Sequence, residues 1–290
     1  MTSPRVVVVH RATEYDELLA RHGTRGQAAF FLTTRGRSLD DVDAQHAALA
    51  AARATVAAAI PADWRRAEVE RSDVSRFVFG PEDIVVVVGQ DGLVANVAKY
   101  LNGQPVIGVN PGGYAGILVP HRASEVAALL AGRGKAPVTR RAMVSVRTDD
   151  GQELTALNEI FVGQPTHQSA RYRLEVAGEG ERQSSSGLIV GTGTGATGWC
   201  ASIQRVAAPQ LPLPAPSEEG LAWFVREAWP SPNTGVSLTA GLLAPGEELS
   251  LVVESDSLIA FGDGIEDDRL ILSWGQRVSI AVADRYLVTL

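Results

Sequence analysis

The sequence predicts an α/β N-terminal domain with a parallel sheet, followed by a β-rich C-terminal domain. Three observations carry this. Up to about Ala131, short β-branched runs alternate with helical stretches. Two of those runs, the continuous valines of Arg5–Val9 and the all-apolar Ile84–Val88, do not alternate, as strands buried on both faces require. After Gly132 the pattern changes to alternating strands separated by hairpin signals.

The elements follow in order. Arg5–Val9 reads as the first strand, and Thr13 starts an amphipathic helix through about His22 that Gly23 ends. Asp40 to Ile60 is Ala-rich with helical apolar spacing, closed by Pro61. Ile84–Val88 leads through Gly89-Gln90-Asp91-Gly92 into a helix reaching about Leu101. Pro105–Val109 is a third strand and Ala123–Ala131 another helix. From Val138 to Val176 strands alternate around turns such as Asp149-Asp150-Gly151, and strands return beyond Val236 with turns at Pro245-Gly246 and Asp263-Gly264. The Pro-rich stretch between Ala207 and Gly220 reads as irregular. The expected domains are 1–134 and 135–269.

Bulk properties exclude several classes. The net charge of −7 and the lack of a Lys/Arg block argue against a nucleic-acid partner. Arg140–Arg141 with nearby Lys135 reads as a solvated boundary between domains. Cys200 is the single cysteine, so no intrachain disulfide or Cys-based zinc site forms. The histidines show no metal-ligand pairing, and His121 and His167 read as surface or loop residues. MTSPRVVVVHR is no signal peptide, and nothing approaches the roughly 20 apolar residues of a membrane span. The expectation is a soluble, cytoplasmic protein with no membrane partner.

Four segments carry chemistry. In the first, Gly89 and Gly92 follow a buried strand and open a helix, a place where backbone amides can approach phosphate. Asp91 between them either accepts a proton from an attacking hydroxyl, holds Mg²⁺, or caps the helix. In the second, PVIGVNPGGYAG over 105–116, another strand ends in a glycine-dense loop, which is either a facing loop or a surface turn. The third places Asn158-Glu159 within an apolar strand, suited to a base edge and ribose hydroxyls or else to the outward face of a strand end. In the fourth, GLIVGTGTGATGWCAS over 187–202, a strand enters a Gly/Thr loop and a helix, with Trp199 as a stacking face or a core residue.

In this order and spacing, the four segments resemble the NAD kinase family. That family carries a Gly-Gly-Asp-Gly-Thr loop, a Pro-Val-x-Gly-Val-Asn strand, an Asn-Glu pair, and a Gly-Leu strand before a Thr-x-Thr-Gly loop. The likeness spans about 84–202, and more weakly Asp263-Gly264. ALNEIFVG from 156, SSGL from 185, Thr192–Gly195, Trp199 and Val225–Glu227 look most like the mitochondrial-type branch. The resemblance implies Asp91 as the activating carboxylate in a phosphate loop of Gly89, Gln90 and Gly92. It implies Asn158, Glu159, Thr194, Thr197, Gly198 and Trp199, with Ser202 close by, as the dinucleotide site. It also implies NAD and ATP as substrates, Mg²⁺ arriving with the ATP rather than in a protein cage, a homo-oligomer (dimer or tetramer), and a final segment, about 270–290, returning to the first domain.

Two departures mark the loop: Gln90 replaces the family's second glycine and Leu93 its threonine. A positive φ at position 90 would cost a glutamine on the order of 1 kcal/mol. The leading expectation is phosphoryl transfer from ATP to the adenosine 2′-hydroxyl of NAD, giving NADP, with Asp91 as base. The alternatives are another acceptor (nucleoside, sugar or lipid) and a catalytically silent NAD(P)-binding protein.

Overall fold

The computed structural model describes residues 3–113, 116–132 and 137–290. The chain divides into two compact units, Met1–Val138 with Val288–Leu290, and Thr139–Leu287. Lys135, Tyr114 and Ala115 lie outside the described residues.

The first unit is α/β. Its strands are β1 (Arg5–His10), β2 (Arg65–Glu70), β3 (Ile84–Val88), β4 (Pro105–Asn110) and the short β5 (His121–Arg122). They pair in parallel in the order β2-β1-β3-β4, with β5 also on β4. The helices are α1 (Glu14–His22), α2 (Arg25–Thr33), α3 (Leu39–Ala59), α4 (Asp91–Ala98) and α5 (Val126–Ala131). Val6, Val8, Val86 and Val88 pack with Ala52 and Val56 of α3 and Val126 and Leu130 of α5. Val7, Val9, Val85 and Val87 are equally buried, so both strand faces are covered and the valine runs need no alternation.

Local chemistry sets the helix ends. Thr13 and Asp16 form a reciprocal capping box on α1, and Gly23 ends it at φ 77°. Ser38 caps α3, and Ile60 before Pro61 leaves it in extended geometry. The helix after β3 stops at Ala98, not near Leu101. Neither α2 nor β2 carries a clear signal in the sequence. β2 (RRAEVE) buries only Val69, because an edge strand carries charge in place of a hydrophobic run.

The second unit is antiparallel β. Its strands are β6 (Thr139–Thr148), β7 (Glu153–Ala156), β8 (Glu159–Gly163), β9 (Ala170–Val176), β10 (Glu179–Ser185) and β11 (Leu188–Thr192). Helix α6 (Trp199–Ala207) precedes β12 (Leu221–Val225), β13 (Ala240–Leu243), β14 (Glu248–Val253), β15 (Ser257–Gly262), β16 (Ile265–Ser273) and β17 (Arg277–Thr289). One sheet runs β13-β12-β11-β8-β15-β16. One of its faces meets Tyr172, Leu174, Leu249, Leu251, Val278 and Ile280 from β9, β14 and β17 in a single core. Its other face presents Phe161, Ile189, Phe224, Ile259 and Phe261, partly covered by Cys200 and Ile203 of α6. β17 pairs with β14 through Ala281, so the return to the first unit comes only at Val288 and Thr289, which pair with β4.

At Gly108 the backbone of Leu118 crosses β4: an added Cβ would lie 1.8 Å from the Leu118 carbonyl oxygen. Gly108→Ala is expected to lower the unfolding free energy by about 3 kcal/mol, as overpacking with a backbone shift does. Urea denaturation measures this, and an unchanged midpoint would contradict the close approach.

Candidate functional site

The first unit brings its loops together at the carboxyl ends of β3 and β4, where open parallel sheets hold ligands. The Gly89 N–H donates to the Val109 carbonyl at 3.0 Å, tying the loop after β3 to the end of β4. Gln90 is extended, at φ −97° and ψ 164°, and exposed. The position needs no left-handed backbone, so glutamine carries no strain there. Leu93 is buried, with its Cδ2 3.0 Å from where a Gly89 Cβ would stand, so this side chain packs beneath the loop. Gly92 is exposed with open space around it.

Asp91 is not the helix cap. It is the first residue of α4, and its half-buried carboxylate accepts from the Ile117 N–H at 2.7 Å and the Leu118 N–H at 2.9 Å. Gly116 makes this approach possible, since a Cβ there would lie 2.1 Å from Asp91 Oδ1. The two glycine-rich loops are thus joined through one carboxylate. An ionised carboxylate has about four acceptor positions, so two backbone bonds leave it further capacity.

The second unit brings Asn158 and Glu159 together with the start of the Gly/Thr loop at one bend. Leu157 and Asn158 lie between β7 and β8 rather than inside a strand, and Glu159 begins β8. The Asp263 carboxylate accepts from the Leu157 N–H at 2.9 Å and the Asn158 N–H at 2.7 Å. On the carbonyl side, the Thr192 hydroxyl donates to Leu157 at 2.6 Å and the Thr192 N–H to Asn158 at 2.9 Å. Asp263 and Thr192 therefore satisfy all four backbone groups of the bend. Among the described residues, the Asn158 amide and the Glu159 carboxyl make no side-chain hydrogen bond. Burial and the neighbouring Asp263 charge raise the Glu159 carboxyl to about 7.

The Gly/Thr loop presses on the same bend. A Cβ at Gly195 would lie 2.1 Å from the Asn158 carbonyl oxygen. The Thr192 hydroxyl also accepts from the N–H groups of Thr194 and Gly195, at 3.1 and 3.2 Å. Thr194 is buried, and its hydroxyl has no partner among the described residues. Thr197 is exposed and its hydroxyl donates to the Thr194 carbonyl at 2.8 Å. Gly198 and Ser202 are exposed on the entry to α6 and its second turn. Trp199 is neither core nor free platform: it is partly exposed, and its ring stacks on Phe161 with centroids 6.2 Å apart.

From sequence, Asp263 is a turn residue and a weak part of the family resemblance, with no role at the bend. The Asp-Gly pair does make a tight hairpin, with positive φ at both Asp263 and Gly264, but its bonds to residues 157 and 158 cross more than a hundred positions. Phe161 and Thr192 likewise gain their roles only in the fold. His121 Nε2 lies 2.8 Å from the Leu290 carbonyl oxygen, and His167 is exposed in a loop. Arg140 lies over the Tyr286 ring at 4.4 Å. Among the described residues no group of three or more His, Cys, Asp or Glu side chains is placed to hold a metal, and no helix is long and apolar enough to cross a membrane.

A carboxyl raised from 4.5 to about 7 on folding is stabilising below its unfolded value, and that stability is lost as pH rises through 7. Glu159→Gln should gain stability relative to wild type between pH 4.5 and 7, with an upper bound of about 3 kcal/mol above that window. Thermal melts across pH test this; a pH-independent difference would contradict the raised carboxyl. Asp263→Ala removes both acceptors and should cost about 2–4 kcal/mol by leaving two N–H groups unsatisfied. Chemical denaturation reads that loss, and a cost under 0.5 kcal/mol would exclude the clamp.

No protein-family profile matches the chain, and no curated protein matches it. Among solved structures, it is similar to an NAD kinase from Archaeoglobus fulgidus in complex with ATP, with a TM-score of 0.60 over 98% of this chain and 92% of that one. Identity is 18%, so the likeness is one of fold: an N-terminal α/β domain with parallel strands and a C-terminal antiparallel β-rich domain, as in the NAD kinase two-domain fold.

Proposed function

We propose that this chain is an NAD kinase, transferring the γ-phosphoryl group of MgATP to the adenosine 2′-hydroxyl of NAD. The observation that carries the reading is the bend at Leu157–Asn158. Its backbone is fully satisfied by Asp263 and Thr192, which leaves the Asn158 amide and the Glu159 carboxyl uncommitted beside a Gly/Thr loop. Both side chains are half-buried, and a nucleoside supplies partners for both: a base edge for the amide and ribose hydroxyls for the carboxyl. The buried Thr194 hydroxyl adds a third such group. The fold shared with an ATP-bound NAD kinase supports the same assignment.

In this reading Gly89, Gln90 and Gly92 form the phosphate loop, and Thr197, Gly198, Trp199 and Ser202 complete the dinucleotide site with Asn158, Glu159 and Thr194. Asp91, oriented by its two backbone bonds, takes the proton of the 2′-hydroxyl as that oxygen attacks the γ-phosphorus. The bond from the γ-phosphorus to the β–γ bridging oxygen breaks, and ADP leaves. Magnesium enters as part of the nucleotide substrate, in keeping with the way this ion binds chiefly through phosphates. The reading extends to a cytoplasmic homo-oligomer, dimer or tetramer, allied to the mitochondrial-type branch.

Purified protein incubated with NAD and MgATP should produce NADP, detected by a coupled NADP-specific dehydrogenase. Asp91→Asn should lower kcat by about 10²–10⁴ with a smaller change in KM. Phosphorylation of other acceptors with no NADP formed would reject the acceptor. Full activity in Asp91→Asn would reject the base.

A further inference from the structure

The second unit holds a cation whose hydrogen-bonding capacity is unspent. Arg226 follows β12, and its backbone is pinned on both sides: its N–H donates to the Gly187 carbonyl and its carbonyl accepts from the Ser186 N–H, each at 2.8 Å. Its guanidinium lies over the Trp199 ring, 5.6 Å from the centroid. The Arg226 guanidinium makes no side-chain hydrogen bond among the described residues. Its carboxylate neighbour, Glu227 Oε2, is 3.7 Å away, and the Arg226 side chain keeps 32% of its surface exposed. Glu227 itself sits at φ 43°, a left-handed backbone that turns the chain sharply after Arg226.

The stack beneath Arg226 is built. A Cβ at Gly163 would lie 2.4 Å from the Phe161 ring, and one at Gly187 would lie 2.6 Å from it. The Phe161 ring therefore occupies space that two glycines provide. Trp199 stacks on Phe161 at 18° between ring planes, and Arg226 reaches Trp199. Rigid aromatic and glycine positions thus hold a planar five-donor cation beside a partly exposed indole and the Gly/Thr loop.

We infer that Arg226 and Trp199 form a subsite for the phosphate-bearing part of the nucleotide acceptor, with the guanidinium taking a phosphate and the indole edge lining the adjoining ring. The inference rests on the dinucleotide reading above and adds Arg226 to it as a specificity-determining residue. A guanidinium fork matches phosphate oxygens in geometry as well as charge, and stacking on an indole keeps it oriented without consuming its N–H donors.

Calorimetric titration of the full chain with ADP-ribose and with adenosine separates the phosphate contribution from that of the nucleoside. Arg226→Gln is expected to weaken ADP-ribose binding about 10- to 100-fold and to leave adenosine within twofold. Arg226→Lys should recover part of the loss, and the salt dependence of ADP-ribose binding should be shallower in Arg226→Gln than in wild type. Equal weakening of both ligands, or an unchanged ADP-ribose affinity, overturns the subsite while leaving the dinucleotide reading standing. Wild-type protein that binds neither ligand overturns both.

Discussion

The two-residue bend at Leu157–Asn158 governs the second unit. A bend between two buried strands exposes backbone groups to a low-dielectric interior, where each unpaired N–H or carbonyl is expensive. Here one carboxylate closes the donor side and one threonine closes the acceptor side. With the backbone satisfied from within, neither the Asn158 amide nor the Glu159 carboxyl is needed to close the bend. Asn158 and Glu159 can be spent on something else.

The first unit applies the same device to a different end. Asp91 holds the backbone of Ile117 and Leu118, and the glycines at 108 and 116 permit the approach. In each unit a carboxylate fixes a loop from a distance, and a glycine marks where a Cβ would obstruct it. The two carboxylates differ in what they leave over. Asp263 is committed to the bend, and its charge acts on Glu159, whereas Asp91 retains acceptor positions beyond its two bonds.

Much of the scaffold was legible from sequence because it is locally encoded. Valine runs declared β1 and β3, Thr13 and Gly23 bounded α1, and Asp-Gly pairs marked hairpins. What was not legible depends on long-range partners. β2 has no hydrophobic run because pairing to β1 alone makes it a strand. The importance of Asp263 lies in bonds to residues more than a hundred positions earlier, and that of Phe161 in a space left by Gly163 and Gly187. The residues at 90 and 93, in and after the turn that follows β3, also read differently in three dimensions. Gln90 is unstrained, and Leu93 faces inward.

Cys200 shows how far this crowding reaches. Its sulfur sits where a Cβ on Gly191 would clash, at 2.4 Å, and burial together with the nearby Glu159 charge pushes the thiol up to about 12. At neutral pH almost none of it is thiolate, the form that reacts with electrophiles. The folded chain therefore presents a nearly silent background to thiol-directed reagents. A cysteine introduced at an exposed position could carry a spectroscopic label without first removing the native one, and reaction at Cys200 would itself report opening of the second unit.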